Sequence, residues 1–287
     1  MKGKTLREIL KTREYAIFAS YGNDSIALIQ WMAEHGHADA YVVYSDTKWS
    51  RPDWEATRVE PGEALARRHG MHPLRITSDV FDGFMGLVRK KNWFPSGRAR
   101  ACTVELKIEP AVAWMSGVDP DLEMTCVVGV RREESKARLQ WPEHVQESRS
   151  HGGRDLWAPL VRVRQAERDA LIDRAGFDVL PHRSRECYPC INANRADLLD
   201  IDDDRVDLIE SLEREASIER QQDVYMKKPS DHGGACGIRE VMRWANSSRG
   251  RYVNKTRLPI YAGEEPEDQP GIQLDLVRPC DGGWCGI

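Results

Sequence analysis

Short apolar runs alternate with helical patterns along the first half of the chain. Four runs are typical of buried strands, and they span residues 15–19, 40–44, 74–77 and 125–130. Two segments between them have the apolar spacing of helices, at residues 25–35 and 51–70. Strands separated by helices of this length predict an α/β fold: a doubly wound, mostly parallel sheet with helices on both faces.

The second half of the chain has a different pattern. After about residue 165, strand patterns give way to charged helical segments and to stretches rich in Gly and Pro. The predicted helices span residues 165–176, 196–222 and 238–245. We therefore predict a first domain of residues 1–165 and a smaller C-terminal, cysteine-rich region of residues 166–287.

The charge balance argues against an extensive nucleic-acid-binding surface. The chain has 42 Lys and Arg against 46 Asp and Glu, a formal charge of −4. One local exception is the basic island at residues 89–107, with six Lys or Arg and one Glu; it is either a solvated face or a small anion-binding patch. No apolar run approaches the roughly 20 residues of a membrane helix, and the charged N-terminus is unlike a signal peptide, so we expect a cytoplasmic protein.

The segment after the first apolar run has the composition of an anion-binding loop. Ser20 and Ser25 can donate hydroxyl hydrogen bonds, and Gly22 lets the backbone approach a ligand closely. The helix that follows adds the partial positive charge of its N-terminus. The loop is not a Walker loop, because no Gly-Lys-Ser/Thr stands at the required spacing. The alternative reading is an ordinary turn in which Asp24 or Ser25 caps the helix.

Four segments, in order, resemble the motifs of the PP-loop ATP pyrophosphatases, and most closely those of the PAPS reductase-like family. They are SYGNDS at residues 20–25, VVYSDT at 42–47, RACTVELKIEP at 100–110 and GVRREESKAR at 129–138. The chain departs from the family's SGGxDS loop at Tyr21, where the commoner form has glycine. The resemblance covers about residues 13–140 and extends to DNA-phosphorothioation and tRNA-thiolation enzymes.

This resemblance implies a site that binds ATP and Mg²⁺ and cleaves ATP between its α- and β-phosphates. Cationic side chains would hold the phosphates, carboxylates would hold Mg²⁺, and Glu134 would orient an arginine or help to hold the ion. The catalytic candidates are Asp24, Lys107, Arg131 and Cys102. The nucleotide-binding candidates are Ser20, Gly22, Asn23, Asp24, Ser25, Asp46, Lys107, Arg131, Glu134, Ser135 and Arg138, of which Asp24 and Asp46 are the Mg²⁺ candidates.

Four of the seven cysteines form two close pairs, Cys187/Cys190 and Cys280/Cys285. In a cytosolic protein such pairs indicate a metal site before they indicate disulfides. Four thiolates suit zinc or an iron–sulfur cluster, and the resemblance to sulfur-transfer enzymes favours [4Fe–4S], with Zn²⁺ as the alternative. Cys102 is a sulfur carrier, a cluster ligand or a buried residue, Cys126 is expected in the core, and Cys236 is a candidate replacement ligand.

Three functions remain open. The first is an ATP pyrophosphatase that adenylates a substrate, expected to be nucleic acid, for sulfur transfer from a donor protein such as a cysteine desulfurase. The second is PAPS reduction, although the segments ACGI at 235–238 and WCGI at 284–287 lack the Glu and His of the family's Glu-Cys-Gly-Leu-His motif. The third is a non-catalytic nucleotide-binding protein with a structural zinc site.

Overall fold

The computed structural model describes residues 13–97, 99–181 and 186–247. The strands are β1 (Tyr15–Phe18), β2 (Ala40–Ser45), β3 (His72–Ile76), β4 (Thr125–Val127), β5 (His144–Ser148) and β6 (Arg154–Trp157). The longer helices are α1 (Asn23–Glu34), α2 (Glu60–Arg68), α3 (Gly83–Lys91), α4 (Glu109–Val118), α5 (Gln165–Ala175), α6 (Arg195–Leu199), α7 (Asp203–Arg220) and α8 (Ile238–Asn246).

Within the described ranges, six strands form one sheet in the order β3-β2-β1-β4-β6-β5. All neighbouring pairs are parallel except β5 and β6, which are antiparallel at one edge. The chain leaves β1 towards β2 and β3, then returns to the other side of β1 as β4. Strand order therefore reverses beside β1, and the crevice at the carboxyl ends of β1 and β4 is where open α/β sheets bind ligands.

Alternation along the central strands explains why they are apolar throughout. On β1, Ala16 and Phe18 pack on one face of the sheet and Ile17 on the other. Successive side chains of a strand point to opposite faces, so a strand covered on both sides has no polar positions. Helices α1 and α5 cover the Ile17 face, and α4 covers the Phe18 face.

A third apolar cluster lies beside the sheet and joins distant parts of the sequence. Helices α6, α7 and α8 pack their apolar faces against α3 and the segment around Trp49 and Phe94. The residues after position 186 therefore share a core with residues 81–106, whereas α5 packs on α1.

The predicted α/β class and parallel sheet are confirmed, and two predicted helices are subdivided. The segment 51–70 is a π-helical turn, Glu55–Val59, followed by α2, and a second π-helical turn, Val104–Ile108, precedes α4. Each widened turn stands before a Glu-Pro pair, where proline removes an N–H from the regular ladder. The segment 196–222 is broken because Asp202 accepts a hydrogen bond from the Arg205 amide and so starts α7 afresh.

Strands β5 and β6 and helices α3 and α4 were not predicted. The segment EHVQES, residues 143–148, contains the edge strand β5. It is polar because β5 pairs with another strand on one side only. In the described part of the chain, no helix has both the length and the apolarity to cross a membrane.

Candidate functional site

The loop after β1 is held by its own serines. Ser25 Oγ accepts a hydrogen bond from the Ser20 amide at 3.1 Å, and the two hydroxyl oxygens are 3.3 Å apart. Trp54 Nε1 donates to the Ser20 carbonyl at 3.2 Å. Both serines are buried, so they shape the loop from within, and the chain then enters α1 with its amide groups at the crevice beside β4.

Tyr21 takes the backbone conformation that a glycine would supply. Its φ is +59°, in the left-handed region, and its ring is fully buried. The ring lies so close to Gly62 of α2 that a Cβ atom there would stand 2.2 Å from Tyr21 Cδ1. The ring of Tyr44 lies 5.7 Å away, centroid to centroid. Tyr21 therefore holds a backbone conformation that favours glycine while its side chain packs in the core between Gly62 and Tyr44.

Asn23 ties the loop to a distant segment. Its side-chain amide donates to the Leu180 carbonyl and its side-chain oxygen accepts from the Leu180 amide, both at 3.0 Å. The two bonds fix the position of the first turn of α1 against the chain after α5. The side chain of this predicted nucleotide-binding residue is thus used to position the loop.

Asp24 and the segment after β4 form an ionic network in the crevice. Arg131 Nε donates to Asp24 Oδ1 at 2.5 Å, and the Arg131 amide donates to Glu134 at 3.0 Å. Arg138 in turn pairs with Glu134. Burial raises the pKa of Glu134 above its ordinary value, with Arg138 opposing the shift. Asp24 is therefore brought together with three predicted residues of a distant segment, two of them cations suited to anionic oxygens.

A glycine and a further arginine complete this network. A Cβ at Gly129 would lie 3.2 Å from the Asp24 carbonyl oxygen, so the glycine permits the close approach of the two loops. Arg168, a buried residue of α5, has a guanidinium nitrogen 3.8 Å from Asp24 Oδ1. Ser135 has an extended backbone between the short helical turns that carry Glu134 and Arg138.

Asp46 stands at the carboxyl end of β2, on the same edge of the sheet. It is half-buried, and its Oδ1 accepts the Lys48 amide at 2.8 Å. Its charge also adds to the raised pKa of Glu186, which burial raises most and Lys107 opposes. Asp46 is therefore electrostatically linked to a second polar region that contains Lys107.

This second region is a buried salt bridge with three half-buried thiols near it. Lys107 Nζ lies 2.9 Å from Glu186 Oε2, and both side chains are at most 7% exposed. Burial lowers the pKa of Lys107, but the charge and the hydrogen bond of Glu186 raise it overall, and Cys187 and Cys102 lie close to the same ammonium group. We call Lys107, Glu186, Cys102, Cys187 and Cys190 the thiol pocket. Lys107, which its motif predicts to bind phosphate, forms a salt bridge with Glu186 in this pocket.

Burial disfavours the thiolate forms of Cys102 and Cys187. Burial raises the pKa of Cys102 to about 11, with Cys190 adding to the shift and Lys107 opposing it. Burial likewise raises the pKa of Cys187 well above its ordinary value, again against Lys107. The three thiols therefore lie in one neighbourhood, which the spacing of Cys102 from the CxxC pair does not reveal.

Trp49 connects the thiol pocket to the segment of chain that follows Asp46. The Tyr188 amide donates to the Trp49 carbonyl at 2.8 Å, and Trp49 Nε1 donates to the Pro189 carbonyl at 3.0 Å. Arg205 lies over the Trp49 ring, 4.4 Å from its centroid. The loop between Cys187 and Cys190 is thus built directly onto the chain that follows Asp46.

The basic island is largely neutralised by carboxylates. Arg89 pairs with Glu215 at 2.8 Å and Lys91 with Glu105 at 2.7 Å, while Lys107 is committed to Glu186. Lys90 lies over the Phe81 ring. Much of the positive charge in the described part of the island is therefore paired. This favours the interpretation that most of the island is a solvent-exposed charged surface and not an anion-binding patch.

The remaining cysteines fall in three different settings. Cys126 is buried in the core, as expected, and Cys236 is exposed in the loop before α8. Cys280 and Cys285 lie outside the described residues. Within the described ranges, no group of three or more His, Cys, Asp or Glu side chains is arranged to hold a metal ion.

The sequence motifs do not include Arg168, Glu186 or Trp49, which the structure places at the site. Arg168 lies on a helix that carries no motif, and Glu186 only precedes the CxxC pair. A glutamate beside two thiols gives no signal of its own, because the lysine it neutralises is 79 positions away.

Comparison with known proteins gives limited similarity. No family model matches the chain. An uncharacterized 37.8 kDa protein of the gpa 5' region of Escherichia phage 186 is 27% identical over 135 residues, which is 45% of this chain and 40% of that protein. The chain thus matches less than half the length of that relative. A crystal structure of PAPS reductase from Candida auris, in a phosphate complex, is similar over 60% of this chain and 77% of that one, at 14% identity and a TM-score of 0.39.

Proposed function

We propose that the chain is an ATP pyrophosphatase that activates a substrate oxygen as an adenylate and directs sulfur transfer to the activated atom. The observation that carries this proposal is that the Asp24–Arg131 network and Asp46 lie at loops on the same edge of the sheet, and that the segment after Asp46 is hydrogen-bonded through Trp49 to the loop between Cys187 and Cys190. An ATP site alone would account for the first region only. The half-buried thiols of that loop fit a reaction that also handles sulfur.

The crevice network would supply the positive charge that the phosphates of ATP require. The amide groups that open α1, together with Arg131 and Arg138, would bind the phosphates and stabilise the departing pyrophosphate. Asp24 and Asp46 would hold Mg²⁺. Arg131 already pairs with Asp24, so a nucleotide would share these cations with carboxylates that are partly exposed.

The proposed reaction has three steps that balance. A substrate oxygen attacks the α-phosphorus of ATP, which forms the adenylate and releases pyrophosphate. A persulfide, supplied by a donor protein such as a cysteine desulfurase, then attacks the activated atom, AMP leaves with the oxygen, and the substrate is joined to the donor through an S–S bond. A second thiol attacks the donor sulfur of that bond, which releases the thiolated substrate and leaves the donor in a disulfide with that thiol. Because three cations of the described basic island are paired with carboxylates, a nucleic-acid substrate would make only a short contact there.

For the thiol pocket we propose a [4Fe–4S] cluster, with Zn²⁺ as the alternative, held by Cys187 and Cys190 together with Cys280 and Cys285. The described residues fit such a group, because Cys187 and Cys190 are half-buried thiols of one loop and the charge of Lys107 opposes the effect of burial on the Cys187 thiol. The bound group would keep its ligand thiols deprotonated. Iron, zinc and acid-labile sulfide analysis of anaerobically purified protein decides between the two.

ATP turnover tests the phosphate side. Asp24→Asn keeps the shape of the side chain, removes its charge, and should lower the rate of AMP and pyrophosphate release at least about a hundredfold. Asp39→Asn, at an exposed carboxylate remote from the crevice, should leave the rate unchanged. A folded Asp24→Asn protein with normal turnover would refute the assignment, as would ADP in place of AMP as the product.

A second candidate is reduction of a sulfonucleotide. The observation in its favour is Cys236, an exposed thiol in the ACGI segment. This reaction would release sulfite from PAPS and would stop in Cys236→Ser, whereas the adenylation reaction would not. Tight ATP binding with no product of either kind would instead identify a nucleotide-binding protein.

A further inference from the structure

Arg58 is a buried arginine that is hydrogen-bonded to the main chain of a distant segment. It lies on the π-helical turn Glu55–Val59, just before α2. Its Nη2 atom donates to the Asp178 carbonyl at 2.7 Å, and its guanidinium carbon lies 5.7 Å from the centroid of the Phe177 ring. Residues 177–180, which follow α5, are therefore held against this turn.

The environment of Arg58 differs from that of the cation in the other π-helical turn. Residues 58–61, RVEP, and 107–110, KIEP, share the order of cation, β-branched residue, Glu and Pro. Lys107 pairs with Glu186, whereas no carboxylate of the described residues forms a salt bridge with Arg58. Burial lowers the pKa of Arg58, and the charge of Asp178 opposes the shift. A buried cation without a paired carboxylate costs stability, so Arg58 is better suited to fixing a position than to stabilising the core.

The segment that Arg58 holds is the partner of Asn23. The Asn23 side chain accepts from the Leu180 amide and donates to the Leu180 carbonyl, both at 3.0 Å. Asp178 and Leu180 are two positions apart, so one short stretch of chain carries both contacts. Asn23 is the first residue of α1 and directly precedes Asp24. The position of the first turn of α1 is thus linked to Arg58 through this stretch.

The chain beside Arg58 also holds the other end of the same loop. Trp54, which directly precedes the π-helical turn, donates its Nε1 to the Ser20 carbonyl at 3.2 Å. The loop at residues 20–25 is therefore attached near its start by Trp54 and near its end by Arg58 through residues 177–180. Two anchors on neighbouring positions fix the distance between the ends of the loop before any ligand binds.

We propose that Arg58 is a positioning residue for the loop at residues 20–25. Through the Asp178 carbonyl and the Leu180 peptide groups it fixes Asn23, so that the amides of the first turn of α1 are arranged in advance for an anionic ligand. The inference rests on the proposed ATP site, but its first readout is backbone exchange, which needs no nucleotide. A failure of ATP turnover and a failure of this inference are thus distinguishable.

The first test is hydrogen–deuterium exchange of the full-length chain, resolved to single amides. Arg58→Met should speed exchange of the Leu180 amide and of the Ile26 amide, which donates to the Gly22 carbonyl in the first turn of α1, roughly threefold to tenfold. Amides of β2 should exchange as in the wild type, and the midpoint of urea denaturation should stay close to the wild-type value, because an apolar side chain replaces a buried cation.

Arg68→Met is the matched control. Arg68 lies on α2 and also donates to a main-chain carbonyl, that of Ala175 at 3.1 Å, at the end of α5. Its loss should leave exchange of the Leu180 and Ile26 amides unchanged. If Arg58→Met does not fold, Arg58→Gln, which is too short to keep the bond to Asp178, should give the same faster exchange.

A double-mutant cycle tests whether Arg58 acts through Asn23. Arg58→Met should raise KM for ATP about threefold to tenfold with little change in kcat, and it should add nothing to the effect of Asn23→Ala. Arg58→Lys, which keeps a charged donor, should recover part of the loss. Unchanged Leu180 exchange in a folded Arg58→Met or Arg58→Gln protein overturns the proposal. Equally faster exchange at all amides, with a lower midpoint, also overturns it, because Arg58 would then only stabilise the fold.

Discussion

The crevice network and the thiol pocket are both built from cations paired with carboxylates, yet they differ in exposure. In the crevice, the side chains of Asp24 and Glu134 are 26% and 25% exposed. In the thiol pocket, Glu186 is 4% exposed beside Lys107. A phosphate can compete for arginines whose present partners are partly hydrated. A fully buried pair cannot exchange its partner without leaving a charge in a medium of low dielectric.

This difference shows what each region is suited to do. The crevice has pre-placed cations that can accept an anionic ligand, while the pocket has one fixed cation that acts on its neighbours. Lys107 is paired with a buried carboxylate beside two thiols, and its phosphate binding stays a prediction. The same residue type therefore has different chemistry in the two regions because its solvation differs.

The largest expected effect breaks the buried pair. Glu186→Gln leaves Lys107 as a buried charge without its carboxylate and should lower the free energy of unfolding by about 3–5 kcal/mol in urea denaturation. Replacing both residues, as Lys107→Met with Glu186→Leu, should recover most of that loss. Asp82→Asn, which breaks the exposed pair with Lys48, should have little effect. Equal stability of Glu186→Gln and the wild type would contradict the comparison.

His151 extends the comparison of buried and exposed ionisable groups to a base, the imidazole of a buried histidine. It is fully buried, and burial lowers its pKa to about 3. Below the ordinary value of about 6.5, the unfolded chain binds a proton that the folded chain does not, so this contribution to stability is present above that pH and lost as pH falls. His151→Gln should remove roughly 3 kcal/mol of the decline between about pH 6.5 and 4. The exposed His144→Gln should not, and parallel pH curves for His151→Gln and the wild type would exclude this role.

Gly62 probes how the crevice loop is supported. In Gly62→Ala the new Cβ overlaps the Tyr21 ring, which should lower the free energy of unfolding by about 1–3 kcal/mol and raise KM for ATP. Adding Tyr21→Gly should relieve the overlap, which double-mutant analysis measures. Gly117→Ala is the matched control in a helix, since nothing lies within 4 Å of its added Cβ. Equal effects of the two alanines would show that Tyr21 does not depend on Gly62.

Arg168 carries the smallest expected effect. Its 3.8 Å approach to Asp24 is longer than a hydrogen bond, so Arg168→Gln should raise KM for ATP about twofold to fivefold with little change in kcat. Arg174→Gln, on the same helix but paired with Glu34, should leave both constants unchanged. A fall in kcat with KM unaltered would place Arg168 in the chemical step and not in positioning.

Much of the central sheet follows from the local pattern. Strands β1, β2 and β4 carry apolar side chains on both faces because both faces of the sheet are covered, and this pattern is visible in the sequence. The edge strand β5 has no such signal, since solvent replaces one partner. The break before α7 depends on one side-chain bond at Asp202, which helical periodicity does not record.

The sequence by itself predicted the strands β1 to β4, the helices α1, α2, α5 and α8, and the loop at 20–25, since each corresponds to a local pattern. It also predicted four residues of the crevice network, which are Asp24, Arg131, Glu134 and Arg138. Tertiary structure decided that Tyr21 could replace a glycine, because its ring needed the space above Gly62. It also decided that Lys107 pairs with Glu186 and that Cys102 meets the CxxC loop. These outcomes depend on burial and on contacts across many positions, and burial is what sets the charge state of a lysine or a thiol.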